Sequence, residues 1–179
     1  SQVTLIEVDY DQLFDYGNFL HADVVFCCLG TTMKKAGSKE QFYKVDFTYP
    51  YELANISLKN GSQQFNIITA SGANSKSLFY YNRVKGDVEK AISELEFQNF
   101  NIFRPSLLLG ERNEQRVGEQ AGAFLAKIIN PFLVGKLRNY RAIQAEIVAR
   151  AMVNISLENL KGIQIIQSDA IQVSGESSL

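Results

Sequence analysis

The sequence predicts an α/β domain in which a doubly wound parallel sheet carries helices on both faces, and three observations lead there. Strand-like and helix-like runs alternate from end to end, the pattern left by parallel strands joined through crossover helices. Residues 23–29 and 65–70 are short, nearly continuous apolar runs, as strands buried on both faces require. With 179 residues and 46% hydrophobic content the chain can bury one sizeable core, so a single domain over 1–179 is expected.

The elements follow in order. Residues 3–8 supply the first strand, after which Asp9, Asp11 and Gln12 lead a short helical stretch carrying Leu13, Phe14 and Tyr16. The strand at 23–29 ends at Gly30-Thr31-Thr32, and a loop rich in Lys, Gly and Ser occupies 33–39. A helix from about Glu40 to Asn60 is closed by Gly61, with Pro50 kinking its early part. The strand at 65–70 gives way to small and hydroxyl residues. Asn74, Ser75 and Ser77 then offer N-caps to a helix whose Val84, Val88, Ala91, Ile92 and Leu95 recur at helical spacing. Gly86 within that helix costs about 1 kcal/mol relative to alanine, which points to close packing or a nearby ligand. Residues 101–109 form a strand interrupted by Arg104-Pro105, as befits a strand end or bulge. Helical patterns at 119–129 and 144–157, a last strand at 162–167 and a frayed tail at 174–179 complete the chain.

Composition excludes several classes of function. A net charge of −1 with no long basic run lacks the electrostatic footprint of a nucleic-acid binder, and Lys34-Lys35 reads as a solvated loop. Cys27 and Cys28 are adjacent in an apolar run, so they cannot staple distant loops; they read as small buried hydrophobes in a reducing, cytoplasmic setting. No stretch reaches the length of a membrane span and no signal-peptide pattern opens the chain, so a soluble protein is expected. His21 is the single histidine, which argues against a metal site and a histidine-based nucleophile. No feature fixes an oligomeric state.

The chemistry lies between the third strand and the helix after it. Thr69 and Ser71 stand at the strand end, followed by Tyr81-x-x-x-Lys85, whose members share one helix face because residues four apart are neighbours there. An ammonium beside the phenol would lower its pKa and fit it for general acid or base work. Chance spacing gives about half an occurrence of such a pair in a chain of this composition, so context carries the argument. The same pair is met where a tyrosine packs and a lysine snorkels to water. A dinucleotide fold also needs a glycine-rich turn after its first strand, which these residues lack; Gly118-x-x-x-Gly122 has no preceding strand. The chain opens in mid-pattern, so a βαβ unit of roughly 35 to 55 residues is expected to precede it. In a sheet ordered 3-2-1-4-5-6 its first two strands would then be strands 3 and 4.

Val24-Val25-Phe26-Cys27-Cys28-Leu29-Gly30-Thr31-Thr32, Lys35-Ala36-Gly37-Ser38, Val45-Asp46, Val84-Lys85-Gly86-Asp87-Val88-Glu89 and Phe103-Arg104-Pro105-Ser106-Leu107 together resemble the Tat-interacting-protein (CC3-like) group of atypical short-chain dehydrogenases. The resemblance runs on through Gln144-Ala145-Glu146 to Ala151-Met152 and covers nearly the whole chain. It implies a Rossmann-like NADP(H) binder acting on a small-molecule carbonyl or alcohol, with Tyr81 and Lys85 catalytic and Thr69 or Ser71 orienting the oxygen. It also implies cofactor contacts at Asp9 and Tyr10, at Leu29, Gly30, Thr31 and Thr32, and at Pro105, Ser106 and Leu107. Asp9 is equally readable as a helix N-cap. Asp46 stands where many active relatives place an asparagine, which alters the relay to the lysine. Two functions stay open: an NADP(H)-dependent oxidoreductase, or a non-catalytic NADP(H)-binding module that regulates or contacts a protein partner. A sugar-nucleotide epimerase is disfavoured, because the C-terminal third is too short for a large substrate domain.

Overall fold

The computed structural model describes residues 3–109 and 141–177. The helical pattern at 119–129, the glycines at 118 and 122, and nearly all of the loops at 111–118 and 132–141 lie outside the described residues.

The described strands form the expected parallel sheet. Strands β1 (Val24–Cys27), β2 (Gln64–Ile68), β3 (Asn99–Arg104) and β6 (Gly162–Gln167) lie side by side in that order, every pairing parallel. A separate two-stranded parallel pair joins β4 (Leu108–Leu109) to β5 (Ile143–Gln144). Pro105, between β3 and β4 in the chain, explains the split, since it has no N–H with which to continue the ladder of β3.

Strand alternation divides the core between the two faces of the sheet. Phe65 and Ile67 of β2 and Phe100 and Ile102 of β3 point to one side, where Ala54 of α3 (Tyr49–Lys59) and Val88 and Ile92 of α4 (Tyr80–Ser93) bury them. Phe103 and Ile166 point to the other, under Val148, Ala151, Met152 and Ile155 of α5 (Ala145–Leu157) and Ile171 of α6 (Ser168–Glu176). That second face also carries a buried row of amides. Asn66 Oδ1 accepts from Asn101 Nδ2 at 2.8 Å and from Gln64 Nε2 at 3.3 Å, while Asn66 Nδ2 donates to Val25 O at 3.1 Å.

Several expectations need correction. Residues 3–8 are not a strand; no described strand pairs with them, and Val3 and Leu5 are almost fully exposed. A lone extended segment cannot pair its own backbone groups. The 33–39 segment is not a plain loop, because Thr32 caps α1 (Met33–Ala36) through Lys35 N at 3.2 Å and Ser38 caps α2 (Lys39–Tyr43) through Gln41 N at 3.1 Å. Gly37, at φ 76°, closes α1 in a left-handed turn. Asn74, Ser75 and Ser77 do not cap α4, whose N-cap is Phe79. Asn74 and Ser77 instead bond to Lys76 N and Phe79 N within the preceding turn. The tail is helical through Glu176, with Gly175 pressed against Ile147. Cys28 is exposed rather than buried.

Candidate active site

Parallel pairing brings the carboxyl ends of β1, β2 and β3 to one edge of the sheet, the edge where ligands settle in open α/β folds. At that edge Asp46 is the junction. It lies 1% exposed on a π-helical turn (Lys44–Thr48) between α2 and α3. Pro50 gives the physical reason for the wide turn: lacking an N–H, and with a ring that would strike the carbonyl of Asp46, it forces the helix out of its i→i−4 register. The kink expected at Pro50 is thus a bulge that carries a carboxylate inward.

Asp46 holds two groups. Its Oδ2 accepts from Thr31 N at 2.8 Å, and its Oδ1 lies 2.7 Å from Lys85 Nζ. Lys85 is 5% exposed, so this is a buried ion pair. The Oδ1 contact lacks hydrogen-bond geometry and is mainly Coulombic. A Cβ on Gly30 would lie 3.4 Å from Asp46 Oδ1 and 3.5 Å from Lys85 Nζ, so glycine leaves open the space directly over the pair. From the sequence, Asp46 stands out only as a departure from an asparagine. The signal available was a carboxylate four residues before a proline inside a helical pattern.

Tyr81 sits one turn before Lys85 at the start of α4, about 39% exposed, its ring tilted against Phe42 at 5.7 Å between centroids. Its phenol is pushed above the ordinary value, first by burial and then by the Asp46 carboxylate. This corrects the expectation of a lowered phenol: burial first, and the Asp46 charge second, set the direction. Among the described residues no hydrogen bond reaches the Tyr81 oxygen.

The two candidate hydroxyls separate. Thr69 is 6% exposed, and its Oγ1 donates to Glu89 Oε1 at 2.6 Å. Glu89 in turn receives Arg104 Nε at 3.0 Å and Nη2 at 2.6 Å, so this hydroxyl belongs to a buried brace between α4 and the sheet. Ser71 is half-buried on the turn after β2; its N–H donates to Pro105 O at 2.9 Å and no described partner takes its side chain.

The remaining candidates fall into two groups. Gly30 and Thr31 lie against the Asp46–Lys85 pair, whereas Leu29 packs against the core and Thr32 caps α1. Asp9 and Tyr10 have other partners: Asp9 Oδ1 accepts from Asp11 N at 2.9 Å as the cap of a 3-10 helix (Tyr10–Phe19), and Tyr10 packs on Tyr49 at 5.2 Å. Pro105, Ser106 and Leu107 fasten neighbouring segments. Ser106 N donates to Ser168 Oγ at 3.2 Å, Ser106 Oγ donates to Arg141 O, and Leu107 O accepts from Ile143 N at 2.9 Å. Among the described residues no cluster of His, Cys, Asp and Glu could hold a metal ion, and no helix is long and apolar enough to cross a membrane.

No protein-family model matches the chain. Over 90% of its length it superposes on MoeE5 in complex with UDP-glucose and NAD, with a TM-score of 0.66 at 13% identity and 61% of that chain covered. The UDP-glucose 4-epimerase of Thermotoga maritima with UDP-glucose gives a TM-score of 0.63 at 15% identity over 90% of this chain and 62% of the other. Those likenesses show a shared Rossmann-like fold. In sequence the chain is 34% identical over 139 residues to Protein fmp52, mitochondrial, of Emericella nidulans, which covers 78% of this chain and 59% of the relative. That relative's name gives no support to a cytoplasmic setting. Protein HTATIP2 of Rattus norvegicus is 36% identical over 173 residues, 96% of this chain and 69% of the relative. At that identity and coverage, the chain belongs to the HTATIP2 (Tat-interacting-protein, CC3-like) family.

Proposed function

We propose that the chain carries the catalytic face of an NADP(H)-dependent oxidoreductase acting on a carbonyl or alcohol. The observation that carries this reading is the placement of Tyr81, its oxygen without a hydrogen bond among the described residues, one turn from buried Lys85, with Lys85 beside an open glycine turn at the carboxyl edge of a parallel sheet. The residues present suit a dinucleotide. The ammonium of Lys85 has three donors, Asp46 is its described partner, and Gly30 offers no side chain to obstruct a ribose approaching the donors that remain. Leu29, Gly30, Thr31 and Thr32 would line the cofactor on that side. Ser106 and Leu107 would flank its nicotinamide end, and Asp9 and Tyr10 its adenine end.

When bound, the nicotinamide cofactor supplies the hydride. Tyr81 gives its phenolic proton to the substrate oxygen as the C=O becomes C–O–H, and the phenolate regains a proton from solvent. Lys85 holds the ribose, and Ser71 polarises the carbonyl by donating a hydrogen bond. Thr69, engaged by Glu89, supports the sheet edge.

The test is NADPH oxidation by the full-length protein across a panel of aldehydes and quinones. Tyr81→Phe is expected to lower turnover at least a hundredfold, the scale of a lost general acid, while NADPH binding is retained. Neutralisation of Lys85 by Asp46 and the engagement of Thr69 favour a second reading, a non-catalytic NADP(H)-binding module serving a protein partner. NADPH binding without turnover in the wild type selects it.

A further inference from the structure

We infer that Asp46 is a positioning residue that fastens the 29–32 turn to the catalytic helix and holds the Tyr81–Lys85 pair electrically balanced, so that Tyr81 meets its substrate as a neutral proton donor. The inference deepens the oxidoreductase reading and rests on it for the word donor. The fastening stands on geometry alone.

One carboxylate reaches two elements. Its Oδ2 takes the Thr31 amide at 2.8 Å, and that amide lies within the turn after β1. Its Oδ1 meets Lys85 Nζ at 2.7 Å on α4. With Asp46 1% and Lys85 5% exposed and their charged atoms 2.7 Å apart, neither charge can be left to water, so each requires the other. An asparagine at this position would still accept from Thr31 N and would leave the ammonium uncompensated beside the phenol.

The groups around Tyr81 set the direction of the effect. Phe42 on α2 supplies an apolar ring, Asp46 on the π turn supplies the negative charge, and Lys85 on α4 supplies the positive one. Cys27 on β1 lies within electrostatic reach of the pair and is held neutral, its thiol pushed up to about 11 by burial. Burial and Asp46 both raise the phenol, in that order. Tyr81 is therefore neutral across the physiological range, a form that can give a proton but cannot accept one. The arrangement suits reduction of a carbonyl, with the C–H bond formed by hydride from a nicotinamide cofactor and the O–H bond formed with the Tyr81 proton.

The test reads the tyrosine directly, without cofactor or turnover. Tyrosinate ultraviolet absorbance of the full-length protein is titrated against pH, with Tyr81→Phe subtracted to isolate this phenol from the other tyrosines. Asp46→Asn is expected to move the Tyr81 midpoint down, and Asp46→Asn/Lys85→Met, which leaves no unpaired ammonium, is expected to fall between that variant and the wild type. A Tyr81 midpoint that stays put or rises in Asp46→Asn overturns the inference. So does a double variant lying outside that interval. The double variant also answers for folding, since it buries no lone charge. If turnover is absent while the midpoints move as stated, the oxidoreductase reading fails and the electrostatic role of Asp46 stands.

Discussion

At the scale of single residues, neighbours in sequence have opposite fates. Cys27 faces the core beside Ala54 and Phe65, whereas Cys28, one residue past the end of β1, is exposed. Burial pushes the Cys27 thiol from 9.0 up to about 11, against a smaller lowering by a hydrogen bond from the Leu29 backbone. The sign follows from linkage. Below pH 9 both states hold the proton; between about 9 and 11 the unfolded chain loses it first, so the stability present below 9 is lost as pH rises toward 11. About 2 to 3 kcal/mol is at stake, from about 1.4 kcal/mol per pKa unit. Urea unfolding at pH 8 and near 11 should therefore show a steeper loss in the wild type than in Cys27→Val. At neutral pH a thiol reagent should modify Cys28 alone until the protein unfolds, as peptide mass spectrometry would read. The apolar run made both cysteines look buried in the sequence. Strand alternation and the short length of β1 decide otherwise.

Among the elements, α4 carries Tyr81 and Lys85, and two devices fix where it lies. Gly86 is the first: a Cβ there would stand 2.2 Å from Ser75 N and 2.3 Å from Asn74 C, both backbone, so no side-chain rotation could relieve the clash. The second is the brace from Glu89 to Thr69 and Arg104, which ties the middle of the helix to the ends of β2 and β3. Gly86→Ala should cost at least about 3 kcal/mol, the upper range for overpacking, and should displace Tyr81 and Lys85 together. Gly37→Ala makes the control. Nothing lies within 4 Å of its added Cβ, and only its φ of 76° resists, so about 1 kcal/mol is expected. Denaturation midpoints of the two variants check the difference, and equal losses would mean that α4 does not approach the turn so closely. The sequence already marked Gly86 as out of place in a helix. Which backbone it touches depends on the turn at 74–75 folding under α4, a contact that no local pattern encodes.

For the molecule as a whole, legibility follows the range of the interactions. Periodicity and apolar runs revealed β2, β3, β6 and the helices on both faces, because burial on two sides of a parallel strand is written in local composition. Residues 3–8 read as a strand by the same rule and failed, since a strand exists only with a partner. The site was legible as residue types, Tyr81 with Lys85, but not as electrostatics: Asp46 is 39 positions from Lys85 and arrives through a π turn that the helical pattern hid. This assembly from distant segments gives the last expected outcome. If a dinucleotide lies across the carboxyl edge, amide hydrogen exchange in saturating NADPH should slow at residues 29–32, at Ser71 and in the first two turns of α4. It should stay unchanged at the amino ends of the same strands, around Gln64 and Asn99, where buried side chains already fill the space. Protection spread evenly along β2 and β3 would mean general stiffening of the sheet, and protection confined to the amino ends would place the ligand on the opposite edge. Either pattern would remove Tyr81 and Lys85 from the binding site, because both reach it only from the carboxyl edge.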